Sequence, residues 1–214
     1  MTSAKRLAPV LFLVLVLLAL PQPARAARTI KVGDGTAASC TEAALRNALI
    51  LAGGERSSII QFKWGAKPVV ITVTATLTIP DNTTINGNAL ITLDGNFFPG
   101  SILQVGPRTT VALLNLTIDR GGQLSGGVSG GTVTVADSAI TQNTATVWGG
   151  GIFNAEAVTV KNSLITRNTA GTDGGGIYTA PDGGGIYTAL DGGGIPPKLR
   201  NSIVADNTPN DVAP

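Results

Sequence analysis

Asp119 beside Arg120 is the pair in this chain that comes nearest to a lyase-like site. A carboxylate next to a fixed cation is what a polysaccharide-cleaving site would use, one group moving a proton and the other holding charge. The surroundings argue against it. No histidine occurs among the 214 residues, which removes the commonest general base, the Ser-His-Asp arrangement and most zinc sites. Glycoside cleavage needs two facing carboxylates, yet aligning the chain on its repeats puts Asp119 in a column with Thr141 and Thr166. The expectation is therefore a solvated surface pair.

Trp148, Phe153, Tyr178 and Tyr187 all lie beside glycine-rich bends. They are the candidate ligand-binding residues, since exposed rings stack on sugar faces; the competing reading packs them over glycine backbone. Trp148 and Phe153 flank Gly149 to Gly151, and the later bends belong to three copies of DGGGI, at Asp173, Asp182 and Asp191. The calcium-binding nonapeptide G-G-x-G-x-D-x-U-x places its aspartate five residues after the first glycine. Here it precedes the glycines, so no metal site is read from these copies. No Gly-Lys-Ser/Thr phosphate loop follows either, and no cofactor is implied.

What must position these residues is a repeat. One phrase recurs as L-x-N-L-x-I at Leu113 to Ile118, V-x-D-S-x-I at Val135 to Ile140, V-x-N-S-x-I at Val160 to Ile165 and L-x-N-S-x-V at Leu199 to Val204. The polar centres Asn115, Asp137, Asn162 and Asn201 are 22, 25 and 39 residues apart, and two nine-residue copies of DGGGI account for the long interval. A period near 22 means a solenoid. Leu113, Val135, Val160 and Leu199 form one apolar column; Ile118, Ile140, Ile165 and Val204 form another. Thr134, Thr159 and Lys161 alternate with them at the period of two that a strand gives. Each repeat is too small to bury its apolar face alone, so rungs must stack in parallel register. Asn143, Asn168 and Asn207 make a polar column suited to an amide ladder. With the insertion removed Arg167 and Asp206 share a column; Pro181, Pro196 and Pro197 and the glycines favour inserted copies that loop out rather than coil into a rung, which predicts Cα atoms one strand spacing apart, about 4.8 Å, close enough for a salt bridge.

Earlier in the chain, Val69 to Ile79 reads as one half-buried strand with a threonine outer face. Thr84 to Ile85, Leu90 to Leu93, Ile102 to Val105 and Thr110 to Leu114 read as short strands between Asn/Asp/Gly turns. From Thr41, a capping residue, Leu45, Ala48, Leu49 and Ala52 recur at helical spacing up to Gly53-Gly54. This short helix is expected to cap the solenoid's apolar end.

Residues 1–26 read as a cleaved signal peptide: Lys5 and Arg6, an apolar run from Leu7 to Leu20, and Ala24-Arg25-Ala26. Removal of three cations leaves 12 Lys plus Arg against 13 Asp plus Glu. A nearly neutral chain without a basic, aromatic-laced patch excludes nucleic acid as a partner, and a run this short, ended by Pro21 and Pro23, excludes a membrane anchor after cleavage. The lone Cys40 permits no internal disulfide and is expected to be buried.

CTEAALRNAL at Cys40 to Leu49, SIIQF at Ser58 to Phe62 and ITLDGN at Ile91 to Asn96 resemble the CSLREA-type N-terminal segment of secreted bacterial β-helix proteins. GGGIFN at Gly149 to Asn154 and GGGIY at Gly174 to Tyr178 are similar to repeats of polymorphic outer-membrane and other pectate-lyase-like proteins. The resemblance implies an all-β, right-handed parallel β-helix. The expected organisation is a strand and capping helix over 27–57 and a β-helix over 58–214, with a Gly-rich insertion at about 173–195. This architecture serves lyases, hydrolases, adhesins and passive surface proteins alike. Without a catalytic set, the reading is a secreted or cell-surface, non-catalytic protein that is adhesin-like or binds an extracellular glycan or cell-surface partner. The alternative is a polysaccharide lyase or glycoside hydrolase acting on acidic polysaccharide.

Overall fold

The computed structural model describes residues 26–122, 127–154, 156–172, 174–179 and 197–209. Residues 1–25, on which the signal-peptide expectation falls, Asp173, Tyr187 and the second and third DGGGI copies lie outside these. The described chain is a parallel β-solenoid of about five turns. The largest sheet runs in the order Arg28–Val32, Ser58–Phe62, Thr83–Asp94, Thr110–Asp119, Ala139–Thr141, Leu164–Thr166, Ile203–Ala205, with Thr132–Ala136, Ala157–Lys161 and Lys198–Arg200 continuing its other arm. A second sheet stacks Leu77–Ile79, Leu103–Val105, Val128–Ser129, Ile152–Asn154 and Ile177–Thr179. All pairings between these strands are parallel.

Register follows the apolar columns. Ile30, Ile60, Ile85, Leu113, Val135, Val160 and Leu199 are successive partners, as are Ile71, Leu93, Ile118, Ile140, Ile165 and Val204. The second sheet adds Leu77, Leu103, Val128, Ile152 and Ile177. Except at the last rung, where Leu199 is exposed and Val204 half-buried, these side chains are buried in one core. Thr134 and Thr159 are half-exposed and Lys161 exposed, as alternation requires.

Between the two arms of the large sheet the chain bends at one residue in the left-handed region: Asn115 (φ 53), Asp137 (φ 52), Asn162 (φ 48) and Asn201 (φ 48). Asn and Asp tolerate that conformation better than other side chains, which explains the polar centre of each repeat. A second left-handed residue, Arg120, Gln142, Arg167 or Asp206, then turns the chain into the buried asparagine column. There Asn143 Oδ1 accepts Gly121 N–H at 2.8 Å, and Asn143 and Asn168 Nδ2 donate to the next rung's Oδ1 at 2.9 Å. The expected ladder forms.

Two expectations are corrected. The Val69 to Ile79 alternation is not one strand: Val69–Thr72 joins the large sheet, Leu77–Ile79 joins the second, and Ala75 is exposed at the corner between them. Residues 83–94 form one strand, with a register shift between Asn86 and Ile91, rather than two.

The last repeat stacks directly on the one before: Thr159 pairs with Lys198 and Ile165 with Val204, so no rung intervenes. Arg167 and Asp206 are thus neighbours by register, but no ion pair forms between them among the described residues. The first DGGGI copy supplies the rung strand Ile177–Thr179. Gly174 before it has φ +65, and a Cβ on Gly175 would meet Thr208 O at 2.3 Å, so this bend admits only glycine.

The helix Glu42–Ala52 buries Leu45, Ala48, Leu49 and Ala52. Thr41 accepts Ala44 N–H at 3.2 Å. Arg46, paired with Glu42 at 2.6 Å, also donates to Thr76 O at 3.1 Å, tying the helix to the corner. Cys40 is buried and free, its Sγ 3.5 Å from Val32 O.

Candidate functional site

Three places follow from the stacked rungs: a charge cluster, a ring stack and a groove. At the first, the structure corrects the reading of Asp119. The register shift in Thr83–Asp94 brings Asp94 into line with Asp119 on the next rung, so a neighbouring carboxylate is present after all. Arg120 spans them. Its Nε donates to Asp94 Oδ1 at 2.9 Å and its Nη2 to Oδ2, while Asp119 Oδ2 lies 3.6 Å from Nε. Asp94 also accepts Asn96 N–H at 2.9 Å, and the Phe97 ring sits 6.0 Å from the guanidinium carbon.

This is not a solvated pair. The Asp94 side chain is 6% exposed and Asp119's 18%. Hydrogen bonds from Arg120 to Asp94 raise the guanidinium's affinity for its proton, so Arg120 acts as a fixed cation and not as a base. Burial lifts the Asp119 carboxyl above the ordinary aspartate range; Arg120 opposes this and the Asp94 charge adds to it. Asp119 Oδ1 is buried without a hydrogen-bond partner. Asp94 was legible as part of ITLDGN, but its alignment was hidden by the Asn86–Ile91 irregularity.

The aromatic candidates meet each other. Phe153 and Tyr178 are register partners with centroids 5.6 Å apart and planes at 5°. Trp148 stacks on Tyr178 at 5.5 Å and 15°. Tyr178 is buried by this contact and Trp148 remains 40% exposed. The faces a sugar would use are largely spent on neighbouring rings. Tyr187 lies outside the described residues.

The third place was not singled out as a site from sequence. A groove of about 610 Å³ runs along the bend between the two arms of the large sheet. Its wall is the column Asn115, Asp137, Asn162, Asn201, with Ser138 and Ser163 behind and Thr117, Ala139, Leu164 and Ile203 as the floor. The serines are committed to the backbone: Ser138 Oγ donates to Ala136 O at 2.7 Å and accepts Leu116 N–H at 3.2 Å, and Ser163 repeats the pattern one rung on. Leu164 and Ile203 are 40% and 62% exposed, an apolar strip beside the polar wall. Among the described residues no cluster of His, Cys, Asp and Glu could hold a metal ion.

The class that fold and site define is a parallel β-solenoid with a polar groove following its rungs. No protein-family model, curated protein or solved structure matches the chain.

Proposed function

We propose that the chain is an exported, non-catalytic binding protein of the cell surface or extracellular space, and that its groove holds a linear glycan. In this reading residues 1–26 are its signal peptide, the solenoid is a right-handed β-helix of the pectate-lyase-like kind, and Glu42–Ala52 is its N-terminal cap. The burial of one helix face beside the first strands supports the last point, since a solenoid end must cover its apolar core.

The observation that carries the binding reading is the groove. It repeats the same wall and floor over successive rungs spaced about 4.8 Å apart, a periodic surface suited to a periodic polymer. Polar side chains beside an exposed aliphatic strip match a sugar's hydroxyls and its C–H face.

One observation favours the enzymatic alternative, a lyase or hydrolase acting on acidic polysaccharide: Asp119 combines a raised proton affinity with a facing carboxylate and a fixed cation. A single experiment separates the two. The protein is screened on a glycan array and incubated with uronic-acid polymers, following absorbance from unsaturated products and the appearance of reducing ends, with and without calcium. Binding without turnover is expected. Turnover abolished by Asp119→Asn would replace the proposal with the alternative.

A further inference from the structure

The groove's polar wall is an amide ladder with one broken step. Asn115 Nδ2 donates to Asn86 Oδ1 at 3.3 Å, Asn162 Nδ2 to Asp137 Oδ1 at 3.1 Å, and Asn201 Nδ2 to Asn162 Oδ1 at 2.9 Å. Each side chain donates to the rung before it. At Asp137 the series stops, because an ionised carboxylate has no donor.

The orientation of Asn115 is fixed. Asn86 Oδ1 already accepts Asn88 N–H at 3.0 Å, so only the Nδ2 of Asn115 can face it as a partner, and Asn115 Oδ1 takes the place that Asn162 Oδ1 takes two rungs later. Leu114 pairs with Ala136 and Thr117 with Ala139, which sets Asn115 and Asp137 side by side at about one strand spacing, ~4.8 Å. Two acceptors therefore meet with no protein donor between them. Asp137 makes no ion pair among the described residues, and it supplies the only charge in the groove's lining.

From this geometry we infer that the Asp137–Asn115 gap is a subsite for the hydroxyls of an uncharged sugar unit, and that Asp137 makes the groove select neutral over uronic-acid polymers. The inference rests on the glycan-binding reading above. Most other polar groups of the wall are engaged, the serines with backbone and the asparagines with one another, and Asn201 Oδ1 stands open at the last described rung. At the gap two acceptors face each other across one rung spacing, and adjacent sugar hydroxyls supply the two donors. A uronate carboxylate there would face Asp137 with no Lys or Arg in the lining to offset the repulsion. Two oxygens fall well short of the six to eight a calcium ion requires. The exposed Leu164 and Ile203 lie on the same strip of floor, one and two rungs on, where the C–H face of a continuing chain would rest.

Asp137→Asn tests this. Asparagine keeps the left-handed bend and the acceptor for Asn162, and it adds the missing donor toward Asn115, so the variant folds with a thermal midpoint at or above that of the parent. Calorimetric titration with cellohexaose, mannohexaose, hexagalacturonate and deacetylated chitohexaose is the measurement. The parent should bind a neutral hexamer at least about tenfold tighter than hexagalacturonate, and Asp137→Asn should lose roughly tenfold on the neutral ligand and most of the discrimination. Binding that Asp137→Asn leaves unchanged in strength and selectivity would overturn the subsite while leaving the glycan reading standing. Tightest binding of the cationic chitohexaose would overturn the neutral preference. Failure of the hexamers and of the whole glycan array would overturn both proposals.

Discussion

Asn168 Oδ1 accepts two hydrogen bonds from Asn143, one from its backbone N–H and one from its Nδ2, each at 2.9 Å. Asn168 itself hands the same pair to Asn207 and returns an Nδ2 bond to Ile140 O at 3.0 Å. Both Asn143 and Asn168 are 0% exposed, so no water can replace a lost partner. Asn168→Ala leaves several buried groups unsatisfied, and the expected loss is about 2–4 kcal/mol in denaturant unfolding. A loss below about 0.5 kcal/mol, the usual scatter of neutral surface changes, would mean the ladder is decoration.

Val160 lies between Val135 and Leu199 in the first apolar column and is fully buried. Val160→Asp puts a carboxylate there with no partner, a change expected to cost about 4 kcal/mol or more. Thr159→Asp, one residue away on the half-exposed face, is the control and should stay within about 1 kcal/mol of the parent. Equal effects at the two positions would refute the in-and-out assignment.

Asp119 carries a pH signature. Its folded proton affinity is raised by burial, with Asp94 adding to that effect and Arg120 opposing it. Such an acid favours the fold fully at pH below its unfolded value, and that contribution is lost as pH rises through the folded value. The stability of Asp119→Asn relative to the parent should therefore improve as pH rises from the acid side through this window and then level off. Unfolding curves across the acid range check it; a flat difference would show that Asp119 titrates as an ordinary surface carboxylate, and an opposite slope that its ion pair with Arg120 outweighs burial.

Thr159 pairs with Lys198 and Ile165 with Val204, so the large sheet's described rungs stack on one another without the residues between Thr179 and Lys198. Deleting residues 181–189 removes one nonapeptide copy and halves that connection, and loop closure changes by only about 0.6 kcal/mol per halving. The denaturant midpoint should barely move. Loss of cooperative unfolding in the deletion would show that the copies carry structural weight.

Trp148 covers Tyr178 from outside. Trp148→Ala should cost about 1 kcal/mol of stability, the scale of an aromatic pair, while leaving the groove's glycan affinity unchanged. A large loss of affinity with intact stability would move the binding site to the ring stack.

The columns are legible in the repeat. Val135, Val160, Ile140 and Ile165 recur at a fixed place in each repeat because a rung can bury its apolar face only on the same face of its neighbour, so core, parallel register and the Asn143–Asn168–Asn207 ladder were all written in the period. It also marked Asn115, Asp137, Asn162 and Asn201 as turn centres, since few side chains accept a left-handed backbone. Where outward side chains meet depends on how the rungs are set against one another. Asp94 faces Asp119 because an irregularity between Asn86 and Ile91 shifts the register of the rungs before it, and no local pattern reveals how many residues such a shift absorbs. The corner at Ala75 was hidden for the same reason: alternation continues on both sides of a bend while the strands join different sheets. Arg167 and Asp206 share a column without pairing, because register fixes the backbone spacing and leaves the direction of two exposed side chains open.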